Sequence, residues 1–242
     1  MNIAAFIPAR GGSKRIPAKN LRAVGDQSLL VRAILSAQLC PRVLSVTVST
    51  DDDEIEREAS NQSALVHRRP PQLASDHAQI EAAVAHWYVR LGVKPDAIVI
   101  LQPTSPFRTA RHVGEAIELL ARADVDSVVA VTASHTPHFA GRMKPRERDV
   151  YEVEPSVSGH VEWYDWQPFH PPVVERPRTQ DLRPMGTENG AIYVVKRAAW
   201  ERTGNRMGGA MAAYPMSWVA GLDVDTLEDL EAARALAHGM GI

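Results

Sequence analysis

The sequence predicts an α/β fold of the Rossmann-like, doubly wound type, with a mostly parallel sheet and one long insertion. Three observations carry that expectation. Short apolar runs of strand length recur along the 242-residue chain, segments of helical period lie between them, and the alternation breaks once, from His135 to Pro184. Parallel strands are covered on both faces and therefore read as continuous apolar runs, and their crossovers are helices.

The first strand is expected at Ile3 to Pro8, followed by runs at Val43 to Ser49, Ala97 to Leu101, Ser127 to Val131 and Ala191 to Val195. Leu30, Ala33, Ile34 and Ala37 fall on one helical stripe, and Val113, Ala116, Ile117 and Leu120 repeat it. A further helix holds Val84 and Trp87. Thr50-Asp51-Asp52-Asp53 and Thr226-Leu227-Glu228-Asp229 match the capping-box pattern, so helices are expected to start there.

Between His135 and Pro184 prolines crowd, and Trp163, Tyr164, Trp166 and Phe169 are bunched. The stretch is too long for an ordinary loop. The expected division is therefore a nucleotide-binding α/β domain of residues 1–134 and 185–242, and an arm of residues 135–184 whose aromatics face either a partner subunit or their own chain.

A composition of 45% hydrophobic and 23% charged residues fits a globular domain and excludes collagen-like or wholly disordered classes. Cys40 is the only cysteine, which removes a disulfide framework and a Cys-based zinc site and points to a reducing compartment. The net charge of -2 supplies no global positive field, so neither a nucleic acid polymer nor an anionic membrane is an expected partner. No apolar run approaches the roughly 18 residues of a membrane span. The N-terminus enters a strand without a basic leader, so a cytoplasmic location is expected.

The strongest chemical feature is Ala9-Arg10-Gly11-Gly12-Ser13-Lys14-Arg15-Ile16-Pro17-Ala18-Lys19-Asn20, directly after the first strand. Adjacent glycines let backbone amides approach an anion, and Arg10, Lys14, Arg15 and Lys19 add cationic donors, as a polyphosphate requires. The loop is neither a Walker sequence nor GxGxxG. At the other end of the chain, Asp223 and Asp225 lie at i and i+2 of Leu222-Asp223-Val224-Asp225-Thr226, so an extended backbone turns both to one side, where they can share a hard cation such as magnesium. Asp225 could equally serve the helix that follows.

Val48-Ser49-Thr50-Asp51 and Leu101-Gln102-Pro103-Thr104-Ser105-Pro106-Phe107-Arg108 end expected strands, where open α/β sheets bind ligands. Gln102, Thr104 and Ser105 offer neutral hydrogen-bond groups for a sugar or base. Asp51 and Asp76 could be ligand contacts or helix starters. The nine histidines show no metal-ligand spacing and no Gly-x-Ser-x-Gly elbow occurs, so zinc-enzyme and serine-hydrolase readings find no support.

The ordered set ARGGSKRIPAKN, VSTDD, RPPQLASD, LQPTSPFRT, PRTQDL, ENGAIYV and LDVDT resembles the CMP-sialic acid synthetases, or N-acylneuraminate cytidylyltransferases, over nearly the whole chain. Enzymes that activate the eight-carbon acid Kdo have a loop more like ARLGSTRLPGKPL, so the wording here favours the nine-carbon branch. The resemblance implies a fold of the nucleotide-diphospho-sugar transferase type with a dimerisation arm, and hence a homodimer, with CTP as donor and magnesium as cofactor. It also implies site roles. Arg10, Ser13, Lys14 and Lys19, with the backbone of Ala9, Gly11 and Gly12, face the CTP phosphates, Asn20 the ribose, and Arg69 with Ser75 and Asp76 the cytosine. Gln102, Thr104, Ser105 and Asn189 line the acceptor site, Arg178 takes the acceptor carboxylate, and Asp223 and Asp225 hold the metal. Arg10, Lys14 and Asp225 are the catalytic set.

Two neighbourhoods depart from the family pattern. After LASD the chain runs His77-Ala78-Gln79-Ile80, without the family's base-reading Ser or Thr, so that contact is either absent or moved to Gln79. Thr136-Pro137-His138-Phe139 lacks a lysine and Thr187-Glu188-Asn189 lacks an arginine that N-acetylneuraminate enzymes tend to carry. The expected acceptor is thus a related nonulosonic acid. The competing readings are a cytidylyltransferase for a Kdo-type sugar or a phosphonate, a pyrophosphorylase using another triphosphate, and a non-catalytic nucleotide-binding protein.

Overall fold

A computed structural model describes residues 1–122, 124–134, 140–145, 164–170 and 185–242. In chain order the elements are β1 (Ile3–Pro8), β2 (Ala23–Val24), β3 (Gln27–Ser28), α1 (Leu29–Gln38), β4 (Ser45–Thr50), α2 (Asp53–Asn61), β5 (Leu65–Arg68), α3 (Ile80–Tyr88), β6 (Ala97–Ile100), α4 (Ala110–Leu120) and β7 (Ser127–Ser134). They continue with β8 (Ala140–Pro145), β9 (Tyr164–His170), β10 (Met185–Lys196), α5 (Arg197–Thr203), β11 (Met211–Met216) and α6 (Leu227–Met240). The chain divides into two compact units, Met1–Thr132 with Gly186–Ile242, and Ala133–Met185.

The larger unit holds a seven-stranded sheet in the order β11-β7-β10-β6-β1-β4-β5. β1 pairs in parallel with both β4 and β6, β4 with β5, and β7 with β11, while β10 runs antiparallel to β6. Helices cover both faces, and the two-residue period of β1 shows how. Ile3, Ala5 and Ile7 pack with Leu30, Ile34, Ile55, Val113 and Ile117 of α1, α2 and α4, whereas Ala4 and Phe6 pack with Val84, Trp87 and Trp200 of α3 and α5. Phe6, Ile7, Leu30 and Ile34 are fully enclosed, and each such side chain contributes about 1.5–3 kcal/mol through burial. A third cluster seats α6 through Leu230 and Ala233 against Ile16, Leu29, Phe107 and Val224.

The apolar runs located five strands of the sheet but not the outer two. β5 reads Leu65-Val66-His67-Arg68 and β11 contains Pro215; a sheet edge tolerates a proline because one side of the strand needs no partner. Apolarity also carries no sign for direction, which is why the Ala191 to Val195 run did not announce an antiparallel strand. At Thr226 the capping box forms as expected, with Asp229 as its second member. At the other expected box the cap moves to Asp52, whose carboxylate accepts from the amides of Glu54 and Ile55. Thr50 is the last residue of β4, so its backbone is committed to the sheet, and its hydroxyl accepts from the Asp52 amide instead.

The smaller unit contains β8 and β9, paired antiparallel with an irregularity between Ala140 and Gly141. Trp163, Arg178 and the Thr136 to Phe139 neighbourhood lie outside the described residues.

Candidate functional site

β1, β4 and β6 are adjacent and parallel, with Pro8 opposite Ser49 and Phe6 opposite Ile100, so all three end on one edge of the sheet. The segment from Ala9 to Asn20 crosses that edge. Its first residue is buried, and the Ala9 amide donates to the Ser49 carbonyl at 2.9 Å. The Gly11 amide donates to Asp51 Oδ1 at 3.0 Å, and a Cβ at Gly11 would lie 2.6 Å from Asp52 Oδ2. Gly11 is thus required by the close approach of the α2 cap, while Gly12 faces open space. Asn20 is buried and donates from Nδ2 to the Arg10 carbonyl at 2.9 Å, closing the segment on itself. Ile16, also buried, pins it to the cluster containing Val224.

That pinning brings the cationic segment and the acidic pair together. Lys19 Nζ donates to the Val224 carbonyl at 3.0 Å and to Asp225 Oδ1 at 2.9 Å, and Arg15 reaches Asp225 Oδ2 at 3.5 Å. Farther along, Arg10 meets Asp76 Oδ1 at 2.7 Å and Lys14 meets Asp76 Oδ2 at 2.5 Å. These hydrogen bonds from Lys14 and Arg10 hold the Asp76 carboxyl below its ordinary pKa. Two carboxylates therefore engage four cations around a cavity of about 490 Å3. The pairs of Arg10 and Lys14 with Asp76 and of Arg15 with Asp225 are exposed and hold about 0–1 kcal/mol each, so a polyphosphate can exchange with them.

Arg10, Ser13, Lys14, Lys19 and Asn20 line one wall of this cavity, and Arg69, Ser75, Asp76 and Gln79 another. Gln102 and Thr104 close it from the end of β6, and Asp225 from the segment before α6. Arg69 is buried, donating from Nε to Ser49 Oγ at 3.1 Å and from Nη2 to the Ser49 carbonyl at 2.6 Å, with Nη1 to the Leu73 carbonyl at 3.3 Å. Burial lowers its pKa to about 10, against the attraction of Asp51, so it stays charged at neutral pH. Asp76 does not cap α3, whose first turn is preceded by Gln79.

Other expected residues do not line the cavity. Ala9, Gly11 and Gly12 are absent from the lining, as are Ser105, Asn189 and Asp223. Asn189 is buried with both ends of its amide used, Nδ2 donating to Thr132 Oγ1 at 3.2 Å and Oδ1 accepting from the Ala191 amide at 3.1 Å. A Cβ at Gly221 would come within 2.5 Å of both Asn189 Nδ2 and Thr132 Oγ1, so that glycine lets the acidic segment close onto β10. The Val224 amide then donates to the Thr104 carbonyl at 2.8 Å, joining the segment to the turn after β6. Arg178 lies outside the described residues.

The acidic pair is unequal. Asp225 is half exposed beside Lys19, whereas burial raises the Asp223 carboxyl above its ordinary pKa, partly offset by the neighbouring Thr104 hydroxyl. Neither Asp223 Oδ1 nor Thr104 Oγ1, both buried, makes a hydrogen bond of good geometry among the described residues. No cluster of three His, Cys, Asp or Glu is placed to hold an ion among the described residues. Magnesium takes only one or two carboxylates and completes its octahedron with water and substrate phosphate. An orphaned carboxylate oxygen at Asp223, with Asp225 two residues on, fits that demand.

Arg108 was not singled out in the sequence. It is 4% exposed, donates from Nη1 to the carbonyls of Gln102 and Ala191, both at 2.8 Å, and from Nε to Ser36 Oγ at 3.1 Å. Burial brings its pKa to about 9. An arginine at the end of an otherwise neutral turn was the available signal, but its identical written form at a solvated helix start concealed it.

The family model described as Cytidylyltransferase matches residues 4–142. The N-acylneuraminate cytidylyltransferase of Oncorhynchus mykiss is 34% identical over 98% of this chain, and that of Escherichia coli 29% identical over 96%. Each alignment covers 51% of the relative, so the chain spans about half the length of the curated relatives it matches. Among solved structures, a CMP:2-keto-3-deoxy-manno-octonic acid synthetase complexed with CTP superposes with a TM-score of 0.65 at 16% identity, covering 99% of this chain and all of that one. A 4-diphosphocytidyl-2C-methyl-D-erythritol synthase from Anaerococcus prevotii gives 0.61 at 13%, covering 98% of each. At those identities the likeness is one of fold. With the family model spanning more than half of its length, the chain belongs to the cytidylyltransferase family.

Proposed function

We propose that the chain transfers a cytidylyl group from CTP to the anomeric hydroxyl of a sialic-acid-like 2-keto sugar acid, giving the CMP-sugar and pyrophosphate. The observation that supports this most is the convergence of Arg10, Lys14, Lys19 and Asp225 on one cavity whose cations are engaged by displaceable carboxylates. In the transfer, a bond forms between the anomeric oxygen and the α-phosphorus while the bond from that phosphorus to the β-phosphate oxygen breaks, and the hydroxyl proton leaves to solvent. Arg10 and Lys14 stabilise the charge growing on the departing pyrophosphate. Lys19, tethered to Asp225, orients the acidic segment toward the phosphates. Arg69 and Gln79 hold the base side, and Gln102 and Thr104 meet the acceptor.

Asp223 and Asp225 would hold magnesium, which supplies Lewis-acid neutralisation of phosphate charge when bound. Arg178 takes the acceptor carboxylate as a bidentate partner. With Glu188 directly before Asn189, N-acetylneuraminate is not the expected best acceptor. The aromatics at Trp163, Tyr164, Trp166 and Phe169 support a homodimer, which sedimentation equilibrium at micromolar concentration checks. The single cysteine, Cys40, supports a reducing, cytoplasmic location.

The test is to incubate the full chain with CTP, magnesium and a panel of eight- and nine-carbon keto acids, following pyrophosphate and identifying products by mass. A CMP-sugar with at least one acid is expected and EDTA should abolish it. Pyrophosphate without a CMP-sugar, or no turnover with any acid, overturns the proposal.

A further inference from the structure

Behind Arg69 runs a chain of polar groups, buried at Ser49 and His67 and half-buried at His86, that the transfer does not use. Arg69 Nε donates to Ser49 Oγ at 3.1 Å, Ser49 Oγ contacts His67 Nδ1 at 2.9 Å, and His67 Nε2 contacts His86 Nδ1 at 2.8 Å. Ser49 is fully buried, His67 8% exposed and Arg69 6% exposed. The direction of this chain follows from chemistry. A guanidinium only donates, so Ser49 Oγ accepts at that end. The Ser49 hydroxyl hydrogen, out of reach of water, needs an acceptor, and His67 Nδ1 is its partner among the described residues. His67 therefore carries its proton on Nε2 and donates to His86 Nδ1.

We infer that His67 is a positioning residue for Arg69, acting through the Ser49 hydroxyl, and that it sets the affinity of the site for the nucleoside triphosphate. A serine hydroxyl can turn about its Cβ–Oγ bond. Only with its hydrogen held by His67 does its lone pair face Arg69 Nε, and only then is the guanidinium fixed at the cavity wall by Ser49 through both Nε and Nη2. The Phe6 ring packs 6.3 Å from the His67 imidazole, with the ring of Trp87 5.1 Å beyond it. The charged and titratable groups around the imidazoles are Arg69 beside His67, and Arg90, whose Nη1 donates to the His86 carbonyl at 2.8 Å. Arg68, next in sequence, turns away to Asp53 and Glu56. Burial, His86, Arg69 and Arg90 together lower the His67 pKa to about 4, so the imidazole remains the neutral acceptor that the chain requires.

This rests on the reading that Arg69 contacts CTP, and the experiment separates the two. CTP binding by the full chain is measured calorimetrically for wild type, Arg69→Ala, His67→Phe and His67→Asn, alongside the CTP KM and kcat. Phenylalanine keeps a ring against Phe6 but offers no acceptor, whereas the asparagine Oδ1 can take the place of Nδ1. Losing one oriented hydrogen bond should weaken CTP about 3- to 10-fold in His67→Phe, with kcat nearly unchanged and His67→Asn restoring most of the affinity. Wild-type affinity in His67→Phe with weakened binding in Arg69→Ala overturns the positioning role and leaves the Arg69 contact standing. Wild-type affinity in Arg69→Ala overturns both. Should His67→Phe fail to fold, Ser49→Ala breaks the same link. Independently, imidazole nitrogen NMR should show neutral His67 as the Nε2–H tautomer at neutral pH; the Nδ1–H tautomer overturns the inference.

Discussion

Two turns leave adjacent parallel strands at the same edge of the sheet, yet they are built in opposite ways. After β1 the chain presents charge in the open. Lys14 is 80% exposed, and its partner Asp76 is accessible as well. After β6 the chain buries its polarity: Thr104, Ser105 and Arg108 are nearly inaccessible, and Arg108 donates from Nη1 to two backbone carbonyls and from Nε to Ser36 Oγ. A site that must grip and release a highly charged ligand needs cations whose resting partners are cheap to displace. A wall that must keep its shape while this happens needs hydrogen bonds that water cannot replace. The first turn supplies the former and the second the latter.

The contrast breaks most visibly at its charged end. Lys14→Ala should reduce kcat by about 10²- to 10³-fold, as loss of a donor to developing charge does, and leave thermal stability unaltered. Stopped kinetics and a melting curve check both; unchanged kcat and CTP KM would return Lys14 to solvent. At the buried end the pattern should invert. Arg108→Met leaves the Gln102 and Ala191 carbonyls without the Arg108 donor, at about 1–3 kcal/mol for each buried orphan and so about 2–6 kcal/mol together, which corresponds to a fall in Tm of about 4–24 °C. A variant melting like wild type would show that the second turn is not held from below.

Acid should separate the two regions further. The folded pKa of His67, about 4, lies below its unfolded value of 6.5, so between these values the unfolded chain binds the proton first. The stability His67 supports is therefore complete above about pH 6.5 and is lost as pH falls toward 4. Melting curves across that window should shift in wild type and shift less in His67→Phe. The smallest effect is expected at Asp76→Asn. Freed from their carboxylate, Arg10 and Lys14 should bind CTP a few-fold more tightly, by about the worth of exposed ion pairs. Weaker binding would mean that Asp76 itself contacts the nucleotide.

The same contrast explains what could be read in advance. Exposed charge is written directly in the residues: Arg10, Lys14, Lys19 and Asp225 were legible as a phosphate loop and an acidic partner, and all four line the cavity. Apolar periodicity likewise revealed the central strands and the stripes of α1 and α4. Buried polarity was not legible, because an arginine such as Arg108 or a histidine such as His67 is spelled alike whether it is solvated or enclosed. Asn189 shows the converse, standing among site motifs while its amide is spent inside the sheet.

Transfer of the cytidylyl group, rather than of phosphate, is the central claim. CTP carrying a radiolabel in either the α- or the γ-phosphate, incubated with the full chain, magnesium and an accepted sugar acid, tests it most directly. The account predicts the α-label in the sugar conjugate and the γ-label in pyrophosphate. A γ-label on the sugar, or in free orthophosphate with the α-label left in CDP, would contradict it.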